Sequence, residues 1–154
     1  MSVVAPGTPV PEFKLRREDF RRFTQDDVAG ETAVFVFYPY AFSPVCTDQL
    51  NLYEEMLDQF AAQGATLYGV SCDSVWALKA FKEKLGVAIG FLSDFEPKGA
   101  VSRAFGAYFE PAGFSDRAIV IVGPDGIVQF SHLAANPGEL PGANIIFDGL
   151  AAKA

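Results

Sequence analysis

A buried strand that passes into a helix is predicted by the segment Ala33-Val34-Phe35-Val36-Phe37-Tyr38-Pro39-Tyr40-Ala41-Phe42-Ser43-Pro44-Val45-Cys46-Thr47. Its first five residues form an apolar, β-branched and aromatic run, which is typical of a buried strand, and Pro39 ends that run. Ser43 is a preferred N-cap residue, and Pro44 suits the first position of a helix. The residue before a proline avoids the α region, as an N-cap must. A helix is therefore predicted to begin at Pro44.

Cys46 falls in the first turn of this predicted helix. The unpaired backbone N–H groups and the helix dipole favour an anion there, so the thiol is expected to ionise more readily than in water. The thiolate is the nucleophilic form of cysteine. Cys46 is therefore a candidate nucleophile, and the alternative is an inert, buried cysteine that only packs.

The elements predicted on either side of this junction alternate between strands and helices. They are a short hairpin near residues 13–23, a helical turn at 25–30, a helix over 44–63 stopped by Gly64, a strand over 65–71, a helix capped by Asp73 or Ser74 and ended by Gly86, a strand over 89–92, a helix over 98–105, a β-hairpin of 117–122 and 127–132, and a helix over 143–152. Strands joined by a helix are expected to be parallel, and the hairpin must be antiparallel. The order predicts an α/β, thioredoxin-like fold: a mixed β-sheet with helices on both faces, in one domain of residues 1–154.

Composition excludes several classes of function. Half of the 154 residues are hydrophobic and 15 are Phe, which is typical of a folded chain. A net charge of -7 argues against binding to nucleic acid or to an anionic membrane surface. The longest apolar run, 33–42, is too short to span a bilayer, and residues 2–10 lack the features of a signal peptide. We therefore expect a cytoplasmic location.

The chain has two cysteines, Cys46 and Cys72, and one histidine, His132. This set argues against a disulfide scaffold and against a structural zinc site, and we expect no metal and no cofactor. A Cys46–His132 dyad stays open as an alternative. It would join residues that are far apart in sequence, and a histidine at a strand end is the simpler interpretation.

The residues around Cys46 resemble the peroxiredoxin signature, Pro-x-x-x-Thr/Ser-x-x-Cys. The signature reads here Pro39-Tyr40-Ala41-Phe42-Ser43-Pro44-Val45-Cys46. Other segments are similar to the same family: Gly69-Val70-Ser71-Cys72-Asp73-Ser74, Leu92-Ser93-Asp94, and Arg117 before the strand 118–122. The resemblance extends from Pro6 to Phe130.

Within the family, the chain is most similar to the small, one-cysteine alkyl hydroperoxide reductase E group. Trp76 and the segment Ser93-Asp94-Phe95, followed by Pro97, carry this likeness. The chain departs from common patterns in having Ser43 rather than Thr and in lacking a late C-terminal cysteine. Gln49 stands where the second cysteine of a Cys-x-x-Cys motif would lie. Asn51 stands where some small peroxiredoxins have a resolving cysteine.

The resemblance implies a thiol-dependent peroxidase that reduces hydrogen peroxide and organic hydroperoxides without a cofactor. Cys46 would attack the peroxide and become a sulfenic acid. Arg117 would hold the thiolate and the peroxide, the Ser43 hydroxyl would bond to either, and Pro39 would shield the sulfur. The partners implied are the peroxide and an external thiol reductant, which could be thioredoxin, a glutaredoxin-like protein or a low-molecular-weight thiol.

Simpler interpretations remain beside these roles. Ser43 could be only an N-cap, Arg117 a strand-end cation, Pro39 a strand terminator, and Gln49 part of a helix surface. Cys72 could resolve Cys46, act as a sensor thiol or only pack. The protein could also be a thiol–disulfide oxidoreductase, although it has no Cys-x-x-Cys, or a non-enzymatic redox-sensing or binding module. Aromatic residues in predicted loops and helix starts favour a homodimer or a larger homo-oligomer: Phe42, Trp76, Phe95, Phe109 and Phe114.

Overall fold

The computed structural model describes residues 2–152. The described chain forms, in order, β1 (Lys14–Arg17), β2 (Arg22–Thr24), a 3₁₀ helix (Gln25–Val28), β3 (Thr32–Phe37), α1 (Pro44–Glu55), α2 (Leu57–Ala62), β4 (Ala65–Ser71), α3 (Val75–Leu85), β5 (Gly90–Ser93), α4 (Ala100–Ala104), β6 (Tyr108–Phe109), β7 (Phe114–Ser115), β8 (Ala118–Val122), β9 (Val128–Leu133) and α5 (Ala143–Ala151).

Seven of these strands form one mixed sheet in the order β2-β1-β5-β4-β3-β8-β9. The strands β3, β4 and β5 run parallel, whereas β1, β8 and β9 each run antiparallel to the neighbour with which they pair. The carboxyl ends of the three parallel strands therefore meet at one edge of the sheet, where α/β folds place their sites. The predicted mixed sheet is confirmed.

Strand alternation divides the core into two layers. In β3, Val34 and Val36 face one layer, while Phe35 and Phe37 face the other. The first layer, called the α1 layer below, receives buried side chains from α1, α2, α3 and α5. The second, called the α4 layer, receives them from α4 and the 3₁₀ helix. Helices therefore cover both faces of the sheet, as the sequence predicts.

The single helix predicted over 44–63 is wrong, because the structure divides it into two helices at Met56. The N–H of Met56 donates to the Tyr53 carbonyl at 3.0 Å, and the N–H of Gln59 donates to the Met56 carbonyl at 3.0 Å. These bonds span three residues instead of four and tighten the chain between α1 and α2. Neither Pro nor Gly marks the position, and the apolar periodicity runs through it, so the break left no signal in the sequence.

The remaining predicted elements occur with shifted ends. Gly86 ends α3 in the left-handed region, at φ 65°, as the sequence predicts. The predicted late hairpin is formed by β8 and β9. The short β6–β7 ladder was not predicted, because two-residue strands carry too few residues for a periodic pattern. Among the described residues, no helix is long and apolar enough to cross a membrane.

Candidate active site

Cys46 is the third residue of α1 and is completely buried. Ser43 occupies the N-cap position with extended backbone angles, φ −68° and ψ 150°. Its side chain makes no capping hydrogen bond, which corrects the expectation that the hydroxyl caps the helix. Pro44 and the bond from the Thr47 N–H to the Ser43 carbonyl, at 2.9 Å, start the helix instead. The backbone N–H groups in the first turn of α1 therefore donate no hydrogen bond to the Ser43 hydroxyl.

Arg117 lies beside Cys46 although 71 residues separate them in the chain. It directly precedes β8, which pairs with β3 so that Ala118 lies opposite Phe37. Its Nη2 donates to the Cys46 Sγ at 3.3 Å. Nη1 donates to the Gln49 Oε1 at 2.5 Å, and Nε donates to the Pro137 carbonyl at 2.6 Å. The guanidinium is thereby held in one orientation against the sulfur.

None of the ion pairs within residues 2–152 includes Arg117, so the guanidinium has no carboxylate partner in this part of the chain. Its side chain is only 2% exposed, so water screens its charge poorly. A buried charge is costly unless an opposite charge or good hydrogen bonds compensate for it. Gln49 and Pro137 supply neutral acceptors, and the Cys46 sulfur is the ionisable group that can supply a negative charge. The Cys46 sulfur is therefore the ionisable group that directly contacts the buried cation.

Gln49 belongs to this cluster, so the alternative that it is part of the helix surface is wrong. It is fully buried, and its Nε2 donates to the Tyr53 hydroxyl at 3.2 Å. The Tyr53 hydroxyl in turn donates to the Pro141 carbonyl at 2.7 Å. Burial raises the pKa of Tyr53 to about 12, so the phenol stays a neutral donor. Helical spacing could have identified both residues, since 46, 49 and 53 share one face of α1.

The loop between β3 and α1 is anchored by Asp73, which sequence reasoning considered only as a helix cap. Its Oδ2 accepts from the Ala41 N–H at 2.8 Å and from the Ser71 hydroxyl at 2.7 Å. Ser74 is the residue that caps α3, accepting from the Ala77 N–H at 3.2 Å. Pro39 is buried at the start of the anchored loop. Asp73 thus fixes the backbone that leads to Cys46.

Cys72 lies apart from this cluster. Cys46 packs in the α1 layer, whereas Cys72 follows the β4 positions that face the α4 layer, Tyr68 and Val70. Its Sγ is 3.4 Å from the Ser115 hydroxyl, which is 2.7 Å from the hydroxyl of Ser102 in α4. Burial raises the pKa of the Cys72 thiol, so this sulfur is held in its neutral, poorly nucleophilic form.

The predicted site residues are therefore only partly brought together. Cys46 and Arg117 are in contact, with Pro39 and Ser43 in the same strand-to-helix junction. His132 lies in β9 opposite Ile119, and the Cys46 sulfur is hydrogen-bonded to Arg117 instead of to an imidazole. No group of three or more His, Cys, Asp or Glu side chains within residues 2–152 has the geometry to hold a metal ion.

Comparison with known proteins gives relatives over nearly the whole chain. Residues 6–131 match the AhpC/TSA family. Alkyl hydroperoxide reductase E of Mycobacterium tuberculosis is 31% identical over 147 residues, which cover 95% of each protein. The crystal structure of Enterococcus faecalis AhpC superposes with a TM-score of 0.87 at 27% identity, covering 98% of this chain and 92% of that one. Peroxidoxin BcpB from Mycobacterium tuberculosis shares the fold, with a TM-score of 0.81 at 22% identity and coverage of 98% and 96%.

Replacing Arg117 with Met should lower the thiolate content of Cys46, because the sulfur loses its cationic partner while the buried volume stays filled. A hydrogen bond to a charged group contributes about 1.5–3 kcal/mol, so alkylation at neutral pH should slow roughly tenfold or more. The measurement is the rate of iodoacetamide labelling in a Cys72→Ser background. Arg103→Met is the control, since Arg103 is exposed and pairs with Glu110. An alkylation rate unchanged by Arg117→Met would contradict the ion pair.

Proposed function

Because the chain belongs to the AhpC/TSA family and is a thiol-dependent peroxidase, we propose that Cys46 is its peroxidatic residue and that Arg117, Ser43 and Pro39 complete the site. The observation that carries this proposal is the 3.3 Å hydrogen bond from the buried Arg117 guanidinium to the Cys46 sulfur at the start of α1. The substrates are hydrogen peroxide and organic hydroperoxides. A non-catalytic sensing module is not favoured, since the relatives are named as reductases.

The reaction is a displacement at oxygen. The Cys46 thiolate attacks the distal peroxide oxygen in line with the O–O bond, an S–O bond forms, and the O–O bond breaks. The leaving hydroxide or alkoxide takes a proton and departs as water or alcohol, while Cys46 becomes a sulfenic acid. The site must therefore hold the sulfur ionised, orient the peroxide, and stabilise charge that moves to the leaving oxygen.

Each proposed residue answers one of these requirements. Arg117 pairs with the thiolate and, with five donors on a planar group, can also donate to the peroxide. The Ser43 hydroxyl is not used as a cap, so it is free to donate to the sulfur or to the peroxide. The Cys46 backbone N–H lies at the positive end of α1 and can stabilise the leaving oxygen. Pro39 excludes water from the sulfur. Gln49 positions Arg117 without adding a competing negative charge.

Reduction of the sulfenic acid is proposed to require an external thiol. A first thiol would form a mixed disulfide with Cys46 and release water, and a second would release the Cys46 thiol as a disulfide leaves. Cys72 is an unsuitable first thiol, because it faces the α4 layer and burial raises its pKa. Thioredoxin, a glutaredoxin-like protein and a low-molecular-weight thiol are the candidate reductants.

A homodimer, or a larger homo-oligomer, is proposed from the exposed aromatic side chains. Trp76, Phe95 and Phe42 are 69%, 54% and 47% exposed, which is unusual for large apolar groups. Phe109 and Phe114, also expected at this surface, instead stack on one another with ring centroids 5.2 Å apart and are half-buried. We further propose that residues 1–154 act as one domain and that the protein is cytoplasmic, where reducing conditions would keep its two free thiols reduced.

Replacing Cys46 with Ser should abolish peroxide consumption, because a hydroxyl is not ionised at neutral pH. The measurement is the initial rate of hydrogen peroxide loss with a thiol reductant, and circular dichroism checks that the fold is kept. Cys72→Ser is the matched control and should keep a rate near that of the wild type. Activity above about one tenth of wild type in the Cys46→Ser protein would overturn the assignment.

One equivalent of peroxide should convert Cys46 to a sulfenic acid without forming a disulfide to Cys72. The reason is that the two sulfurs lie on opposite sides of the sheet, and a disulfide needs the two Cα atoms within roughly 7 Å. Mass spectrometry after trapping with dimedone should find one adduct, on Cys46. Stoichiometric loss of two protons with no adduct, together with a Cys72→Ser protein unable to turn over, would establish Cys72 as the resolving residue.

The oligomeric state can be measured by light scattering at micromolar concentration. We expect at least twice the mass of the 16.6 kDa chain, because exposed aromatic side chains gain stability when a second copy covers them. Trp76→Glu should weaken the assembly, whereas Glu83→Gln, also on α3, should not. A monomer mass for the wild-type protein would refute the proposed interface.

A further inference from the structure

A cleft separate from the Cys46 site lies between the β1–β2 hairpin and the chain that follows β4 and β5. Its volume is about 380 Å³, and its lining includes Lys14, Arg16, Arg22, Val75, Ser93 and Glu96. Cys46 is not part of the lining. The strand β5 is two positions from β3 in the sheet, with β4 between them, which corresponds to about 10 Å. The cleft therefore shares the functional edge of the sheet without sharing the peroxidatic cluster.

The charge of this cleft is opposite to that of the whole protein. Five of the 12 Lys and Arg residues of a chain with net charge -7 fall between residues 14 and 22. Two of them, Arg17 and Arg21, pair with neighbouring carboxylates. The three that line the cleft, Lys14, Arg16 and Arg22, are exposed and form no ion pair with any carboxylate of residues 2–152.

The pairing of β1 with β2 increases this local positive charge. Arg16 and Arg22 lie directly opposite each other in the ladder, where like charges destabilise a sheet. The side chains of Lys14 and Arg16 share a face because they are two residues apart in a strand. A bound anion would offset the repulsion within this group, whereas Glu96, the carboxylate in the lining, balances only one of the three cations.

The amino end of α3 strengthens the preference for an anion. Val75, the first residue of this 11-residue helix, lines the cleft. The Ser74 side chain caps the Ala77 N–H, so the N–H groups of the first two helical residues have no side-chain cap. The partial positive charge at a helix start therefore adds to the charge of the hairpin cations.

We propose that this cleft binds a small anion that carries two or more phosphate or carboxylate groups. The size of the cleft is in the range of small-molecule sites. Three cations against one carboxylate leave an excess of two positive charges for the ligand to balance. The proposal does not involve Cys46 and stands whether or not the peroxidase site is assigned correctly.

Titration calorimetry at low ionic strength tests the proposal, because salt screens exposed charges. The probes are pyrophosphate and citrate, which distinguish a phosphate site from a carboxylate site, with acetate as a monoanion. We expect one site per chain for pyrophosphate, citrate or both, with a dissociation constant below about 1 mM, and weaker binding of acetate. Absence of binding by both polyanions, or equal affinity for acetate, would overturn the proposal.

Variants then locate the site. Arg22→Gln and Lys14→Gln should each weaken binding at least tenfold. Lys84→Gln makes the same charge change about 14 Å away along α3 and should bind as the wild type does. Without ligand, Arg22→Gln should raise the melting temperature, since it removes the repulsion between Arg16 and Arg22 across the ladder. With the polyanion present, this variant should not show the increase in melting temperature that the wild type shows. Equal weakening by Lys84→Gln would show general charge attraction and would overturn the proposal.

Discussion

The contact between the Arg117 guanidinium and the Cys46 sulfur is the constraint on which the rest of the site depends. A cation that is almost wholly buried needs an opposite charge or a full set of acceptors, and Arg117 has two neutral acceptors and one sulfur. The same burial that makes the cation costly makes its field strong, because the interior screens charge less than water does. The field of this buried cation therefore acts on the Cys46 sulfur, the one ionisable group to which Arg117 donates a hydrogen bond in the described chain.

Holding that contact requires two distant parts of the chain to be fixed independently. The first turn of α1 is set by Pro44 and by the loop that Asp73 anchors through the Ala41 N–H. The Arg117 side is set by the pairing of β8 with β3 and by the Pro137 carbonyl. Gln49 joins the two, since it lies on the same helix as Cys46 and accepts from Arg117. A carboxylate in its place would compete with the sulfur for the cation, and an amide does not.

The two thiols and the basic cleft lie near the sheet edge where the parallel strands end, but they lie apart from one another. Cys46 packs from α1 into the α1 layer, whereas Cys72, which directly follows β4, contacts Ser115 on the side of α4, although both cysteines follow strands that end at the same edge. One thiol meets a guanidinium, and the other meets a pair of serine hydroxyls. The basic cleft beside β1 and β5 lies at the same edge but has no reactive sulfur. Chemically different sites are thus kept apart by the thickness of the sheet and the spacing of its strands.

Local patterns in the sequence determined the strand-to-helix junction, the position of Cys46 in a first helical turn, the late hairpin and the end of α3 at Gly86. Proline, glycine and apolar periodicity act over a few residues, so their effect on local structure can be predicted from the sequence alone. The family resemblance, which includes Arg117 before the strand 118–122 as well as residues 39–46, added Arg117 as a candidate, but neither segment shows how far Arg117 lies from Cys46. Only the tertiary structure decided that contact, the burial of Gln49, the anchoring by Asp73, the unused Ser43 hydroxyl and the opposite layer of Cys72. Each depends on the register and order of the strands, which bring residues together that are far apart in the chain.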